Sequence, residues 1–239
     1  MELNKEMWME EDKEHFLSYL RSFQVKEKEA WSRRILNTKL EVLCISTKVI
    51  DTMAKEIFKG NYTSFLDLQI FDNYESIAIN GKIISSIPDF NVMKHYLSTY
   101  IYVMENWAHC DLLSFNINKK NKEPFLKLSK EYLMSDRVFV RRLGLLILFQ
   151  MVKDETVLET IFHALLALKD ENEYYVIMMA GWLLCETIIK YRKQALDFIK
   201  NSKGLNAKIL NKGIQKCRES RRFTQEEKDE LNLYKRKSV

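Results

Sequence analysis

Glycine and proline are scarce in this chain, 6 and 2 residues out of 239. A β-rich protein of that length needs a turn every few residues, and turns draw on both types. Their scarcity argues against a sandwich or barrel and for helices joined by short polar loops. Long apolar runs are missing too. The most apolar stretch, "LGLLILFQMV" from Leu143, is about half the ~18 residues of a membrane span and fits a buried helix. The opening "MELNKEMWMEEDKEH" is acidic and polar, unlike a secretory signal. Cys44, Cys110, Cys185 and Cys217 are scattered, with no CxxC pair and no Cys/His cluster at metal-ligand spacing. They read as reduced thiols of a cytoplasmic protein, and neither metal nor cofactor is expected. GxGxxG, the P-loop, GxSxG and HExxH are all absent. Nor do His15, His95, His109 and His163 form a local metal pattern.

What remains is 46% apolar and 30% charged, enough for a substantial core under a solvated surface. Helical periodicity dominates. It predicts a first helix over 6–20, with Trp8, Phe16 and Leu20 on one side, and a second over 27–36. Ser46 or Thr47 can cap a third carrying Val49, Ile50, Met53 and Ile57, which "KGN" ends. Asn73 can cap a helix with Ile77, Ile79 and Ile83, and "PDF" at Pro88 starts another. A helix over 106–115 is followed by the polar run "NINKKNKEP". Further helices are expected over 123–133, 136–152, 155–168, 173–191, 193–201, 207–220 and 224–235, with capping signals at Ser135 and Thr224. About a dozen helices, many apolar on more than one face, need neighbours on both sides. Stacked antiparallel helical pairs, an all-α solenoid, meet that need. No repeat shows at a fixed sequence period, so any repeat is structural. One domain over 1–239 is expected, with "NKKNKEP" the best linker candidate but read as a loop.

Net charge is +5 and uneven. Residues 201–239 hold eleven Lys/Arg against five Asp/Glu, net +6, which leaves about −1 for the other 200. A basic end on a near-neutral body suggests an anionic partner, nucleic acid first, against the plainer reading of a solvated tail. Lys208, Lys212 and Lys216 recur every four residues and form one stripe, which Arg218, Arg221 and Arg222 extend.

Three segments could carry chemistry. In "ENWAHCDLL", Trp107 and Asp111 stand at i and i+4, on one helical face. The ordinary reading is a core indole and a solvated carboxylate, and spacing alone favours it. His109 lies two residues before Asp111 and does not share that face; it and Cys110 read as structural. In "RVFVRRLGLLILFQ", Arg141 and Arg142 point about 100° apart, so at most one aims along the core-proximal face. In "YYVIMMAGWLLCE", Gly181 inside a helix costs about 1 kcal/mol against Ala, which implies close approach of another helix or a ligand. Trp182 follows it.

Together these segments, quoted as "NWAHCDLLSF", "SDRVFVRRLGLLILFQM" and "EYYVIMMAGWLLCE", resemble in order and spacing the DNA alkylation repair proteins of the AlkD type, the HEAT-like-repeat alkylpurine glycosylases. "KLEVLCISTKVIDTMAKEI", "NYESIAINGKII" and the C-terminal "LNKGIQKCRESRRFTQEEKDELNLYK" extend the similarity over 40–234, toward a divergent bacterial branch. The resemblance implies a HEAT-like α-solenoid with a concave, positive face for double-stranded DNA containing alkylated bases. It implies a cytoplasmic, monomeric enzyme that hydrolyses the N-glycosidic bond of N3- or N7-alkylated purines. By the same resemblance Trp107 and Trp182 match the active-site indoles, Asp111 the catalytic carboxylate, and Arg142 the phosphate-contacting arginine. Arg141 and the basic C-terminal residues would add DNA contacts. The residue types suit the chemistry. A cationic purine is already a good leaving group, and one carboxylate can stabilise an oxocarbenium-like sugar and orient water. The chain departs from the family at Cys44, where Gly is common, at the missing following Pro, and at Met178 or Met179, where a basic or polar residue is common. A DNA-binding solenoid without catalysis, or a protein-interaction scaffold, are the alternatives.

Overall fold

The computed structural model describes residues 1–237, which contain fourteen α-helices and no strand, so the fold class is all-α as expected. No helix among the described residues is long and apolar enough to cross a membrane. The chain divides into two compact units, Met1–Asn116 and Ile117–Val239. The division falls inside "NINKKNKEP", the polar run that interrupts the apolar periodicity.

The first unit holds α1 (Glu11–Arg21), α2 (Glu29–Leu36), α3 (Thr47–Lys59), α4 (Tyr62–Asp67), α5 (Tyr74–Ser86), α6 (Phe90–Val103) and α7 (Trp107–Asp111). Its centre is α5, buried on every side through Ile77, Ala78, Ile79, Ile83 and Ile84, with α1, α3 and α6 packed around it. The helix starts as its sequence demands. Asn73 accepts from the Ser76 amide while the Ser76 hydroxyl answers the Asn73 amide, a reciprocal cap worth about 1 kcal/mol. Two expectations need correcting. The first helix begins at Glu11 rather than residue 6, and Trp8 precedes it. Trp8 is nevertheless core, because it packs edge-to-face on Phe16 and Phe65, centroids 5.8 and 4.9 Å away. The short α4, which supplies Phe65, escaped the periodicity because six residues are too few to show one.

The second unit holds α8 (Lys122–Leu133), α9 (Val138–Gln150), α10 (Leu158–Ala167), α11 (Tyr174–Lys190), α12 (Arg192–Asn201), α13 (Ala207–Glu219) and α14 (Gln225–Asn232). Side chains that meet across α9, α11 and α13 keep a constant offset. Arg142 meets Tyr175 and Phe149 meets Trp182, 33 residues apart. Gly181 meets Gly213, 32 apart. A constant positive offset means parallel helices, with α10 and α12 returning between them and stacked through Phe162 and Phe198 at 4.2 Å. The degenerate structural repeat is therefore present, with a period of 32–33 residues. Gly181 serves the approach of another helix. A Cβ there would lie 3.1 Å from the Gly213 amide nitrogen and closer still to the Lys212 side chain. Thr224 and Glu227 form the expected capping box on α14. Ser135 does not cap α9, which starts later, at Val138; its hydroxyl accepts from the Arg137 amide instead.

Candidate active site

Trp107 and Asp111 occupy the first and last positions of α7, a helix of five residues rather than the ten the pattern suggested. Five residues make a single turn, which has no stability of its own, so neighbours must hold it. Asn106 caps it through bonds of 3.0 Å from the amides of Ala108 and His109. The Asn106 Nδ2 group donates to His109 Nδ1 at 3.2 Å, and His109 Nε2–H donates to the Tyr74 carbonyl at 3.2 Å. The imidazole also stacks on the Tyr74 ring, centroids 4.7 Å apart. From the other side, buried Tyr100 donates its hydroxyl to the His109 carbonyl at 3.0 Å, in space that Gly81 leaves open. Finally, Trp107 Nε1–H donates to the Ile35 carbonyl on α2 at 3.3 Å.

These anchors settle what His109 is. Both ring nitrogens are engaged and the ring is buried, which penalises the charged form and lowers its pKa from 6.5 to about 4. It is a neutral structural residue, as expected from its position off the Asp111 face.

Trp107 and Asp111 line one groove of about 470 Å³ in the first unit. Trp31, on α2, lines it as well and is 59% exposed. An indole that open to water on a groove wall is unusual, and sequence reading passed over it. The clue was its setting in "EAWSRRIL", an indole among charges. Lys28 and Lys82 also line the groove, Lys82 paired with Asp51 at 2.6 Å. The floor includes Glu75, 1% exposed, whose carboxylate accepts from the amides of Leu43 at 2.9 Å and Ile45 at 3.3 Å. Burial pushes its pKa up, and the converging amides pull against that shift. Three successive amides can face one carboxylate because Cys44 between them adopts a left-handed conformation, φ 59°. That explains the glycine often found here in the resembling family: it reaches this conformation without strain, whereas cysteine incurs about 1–2 kcal/mol.

The remaining candidates lie in the second unit. Trp182 on α11 is 44% exposed beside Phe149. Arg142 on α9 is 4% exposed, and its Nη1 donates to the Tyr175 carbonyl at 2.6 Å. Arg141 pairs with Glu171 through Nε at 2.7 Å and Nη2 at 3.4 Å, and donates to the Ser135 carbonyl. Of the two arginines it is Arg142 that enters the core. Along α13, Lys208 donates to Asn172, Lys212 to Gln215 and Lys216 to Glu219. Arg222 is paired with Glu186, and Arg218 and Arg221 are exposed. The units differ in charge. The first has thirteen Lys/Arg against seventeen Asp/Glu, net −4, and the second twenty-five against sixteen, net +9.

A model of the DNA alkylation repair enzyme family matches residues 16–217. The chain belongs to that family. No curated protein matches it. The family match spans every residue of the α7 groove named above, as well as Arg142 and Trp182. Arg218, Arg221 and Arg222 lie beyond it.

Proposed function

We propose that the protein is a DNA glycosylase that hydrolyses the N-glycosidic bond of N3- and N7-alkylated purines in duplex DNA. The observation that carries this reading is the α7 groove: a carboxylate beside two indoles, on a one-turn helix fixed at both ends. That set of groups favours a flat cation next to a developing positive charge. Each indole face contributes roughly 0.5–2 kcal/mol toward a cationic base or sugar. Asp111 stabilises the oxocarbenium-like sugar and orients the attacking water. No strong general acid is required, because the alkylated purine already carries its positive charge. The engaged, neutral His109 is in keeping with that requirement.

In this reading Trp182 offers a second exposed indole to the same substrate class. Arg142, 4% exposed with Nη1 on the Tyr175 carbonyl, is held in the core, so phosphate contact falls to exposed basic side chains. Lys208, Lys212 and Arg221 add sequence-independent phosphate contacts, so binding weakens steeply with salt. The test is release of 3-methyladenine or 7-methylguanine from methylated duplex DNA. Asp111→Asn should slow release by about 10²-fold or more at unchanged duplex affinity, judged by the ~10²–10³ seen when one transition-state contact is removed. Undiminished release by that variant would sink the role given to Asp111. Salt-sensitive duplex binding without release by the wild type would favour the non-catalytic alternative.

A further inference from the structure

The parallel helices α9, α11 and α13 also build an open face of the second unit. On α11, Tyr175, Met178 and Trp182 stand at i, i+3 and i+7, on one stripe of the helix. That stripe is not core. Trp182 is 44% exposed, Tyr175 and Met178 are half-buried, and Tyr174 beside them is 61% exposed. A ring from α9 backs each end of the stripe. Phe139 lies 5.3 Å from Tyr175 at an interplanar angle of 45°, and Phe149 lies 6.2 Å from Trp182 at 37°. Rings tilted in this way cover only part of each other's faces.

The third helix adds charge. Lys208 stands 33 residues beyond Tyr175, one structural period on. Lys212 follows one turn later and lies against Gly181, the neighbour of Trp182. Both ammonium groups bond to neutral side-chain amides, Lys208 to Asn172 at 2.6 Å and Lys212 to Gln215 at 2.8 Å. Such bonds leave the charge available to an anion. The face is therefore aromatic on two helices and cationic on the third.

A ligand that matches it combines flat π-surfaces with a row of negative charges. An intact duplex keeps its base faces stacked inside and offers edges and phosphates. An unpaired strand offers a π-face on every base and a phosphate on every nucleotide. The spacing also fits. Seven residues of helix set Tyr175 and Trp182 about 10 Å apart along the axis, about three steps of ~3.4 Å along a stacked strand.

We propose that this face binds single-stranded DNA, with bases stacked on Trp182 and Tyr175 and phosphates running along Lys208 and Lys212. Met178 lies between the two rings as a polarisable apolar floor. Membership of a DNA repair family makes DNA the strand. The proposal shares Trp182 with the reading above but needs no base excision and rests on the second unit alone.

The experiment titrates the full chain, by fluorescence anisotropy, into three labelled probes without alkylated bases. They are an oligothymidylate of twelve nucleotides, an abasic oligomer with the same number of phosphates, and a duplex of twelve base pairs. The oligothymidylate should bind at least about tenfold more tightly than the abasic oligomer. Trp182→Ala should weaken it by about 5–100-fold and leave the duplex within about twofold. Lys212→Gln should reduce the slope of log affinity against log salt by about 0.7. Trp182→Phe keeps a ring, so it should bind within about threefold of wild type while losing most of the tryptophan quenching that oligothymidylate causes. That variant locates the contact without depending on how the alanine variant folds. Equal affinity for the abasic oligomer would overturn the proposal, as would quenching that persists in Trp182→Phe. Tighter binding of an oligouridylate of the same length would assign the face to RNA instead. Self-association abolished by Trp182→Ala would assign it to a second copy of the chain. Because no probe carries a lesion, failure to release methylated purines leaves this result untouched, and the converse also holds.

Discussion

Lowering the pH should loosen the α7 anchor through one residue. His109 is neutral in the folded chain, with a pKa lowered to about 4 by burial, against 6.5 when unfolded. Between those values the unfolded state binds a proton that the folded state refuses. The folded state is therefore unpenalised above about pH 7 and loses stability as pH falls from there toward 4. A displacement of about 2.5 units corresponds to about 3 kcal/mol. For a chain of this size that amounts to a fall in Tm of about 6–12 °C between pH 7.5 and 4.5. Glu75 acts in the opposite sense: its raised pKa makes the folded state the better proton binder as pH falls. The measurement must therefore be a difference. His109→Gln can keep the amide donor to the Tyr74 carbonyl and cannot ionise, while Glu75 is unchanged in both proteins. Thermal melts of wild type and variant across that range should converge in acid and diverge near neutrality, the wild type losing more. Parallel curves, or an NMR titration of His109 near 6.5, would refute the reasoning.

Other outcomes follow from the same geometry. Trp31→Ala should leave the melt within a degree or two, since the indole is largely exposed, and weaken capture of methylated duplex by about 2–10-fold in a filter or anisotropy titration. Cys44→Val should cost about 1–2 kcal/mol in urea unfolding, because a β-branched residue tolerates a positive φ poorly, whereas Cys44→Gly should stabilise by up to about 1 kcal/mol, the relieved strain being partly offset by glycine's greater unfolded-state entropy. Arg141→Ala should cost about 2–3 kcal/mol by the same measurement, since the buried carboxylate of Glu171 loses its bidentate partner.

Most of the helices were legible because their apolar spacing runs for ten residues or more. So were the caps at Asn73 and Thr224, where the side-chain bond is local in sequence. The misses have a common origin. α7 stops at Asp111 although Leu112, Leu113 and Phe115 continue an apolar pattern, so its end is decided by tertiary packing. Trp8 is core without being helical, for the same reason. Around the candidate site, the i, i+4 spacing of Trp107 and Asp111 gave their shared face. Trp31, Glu75 and the left-handed Cys44 came together only through contacts 30 to 70 residues apart, which no local pattern encodes. The 32–33-residue period was invisible as sequence similarity because what repeats is the level at which side chains meet, not their identity.

That period has an electrostatic consequence of its own. α9, α11 and α13 run the same way and begin within about a turn of one another. Each carries at its N-terminus a partial charge of roughly half a unit positive. Three aligned backbone dipoles therefore add a fixed positive fringe along one edge of the second unit, over and above its Lys and Arg residues. It does not titrate, cannot be acetylated, and would survive replacement of Lys208, Lys212 and Lys216 together. Part of this unit's pull on anions is set by the direction in which the chain runs.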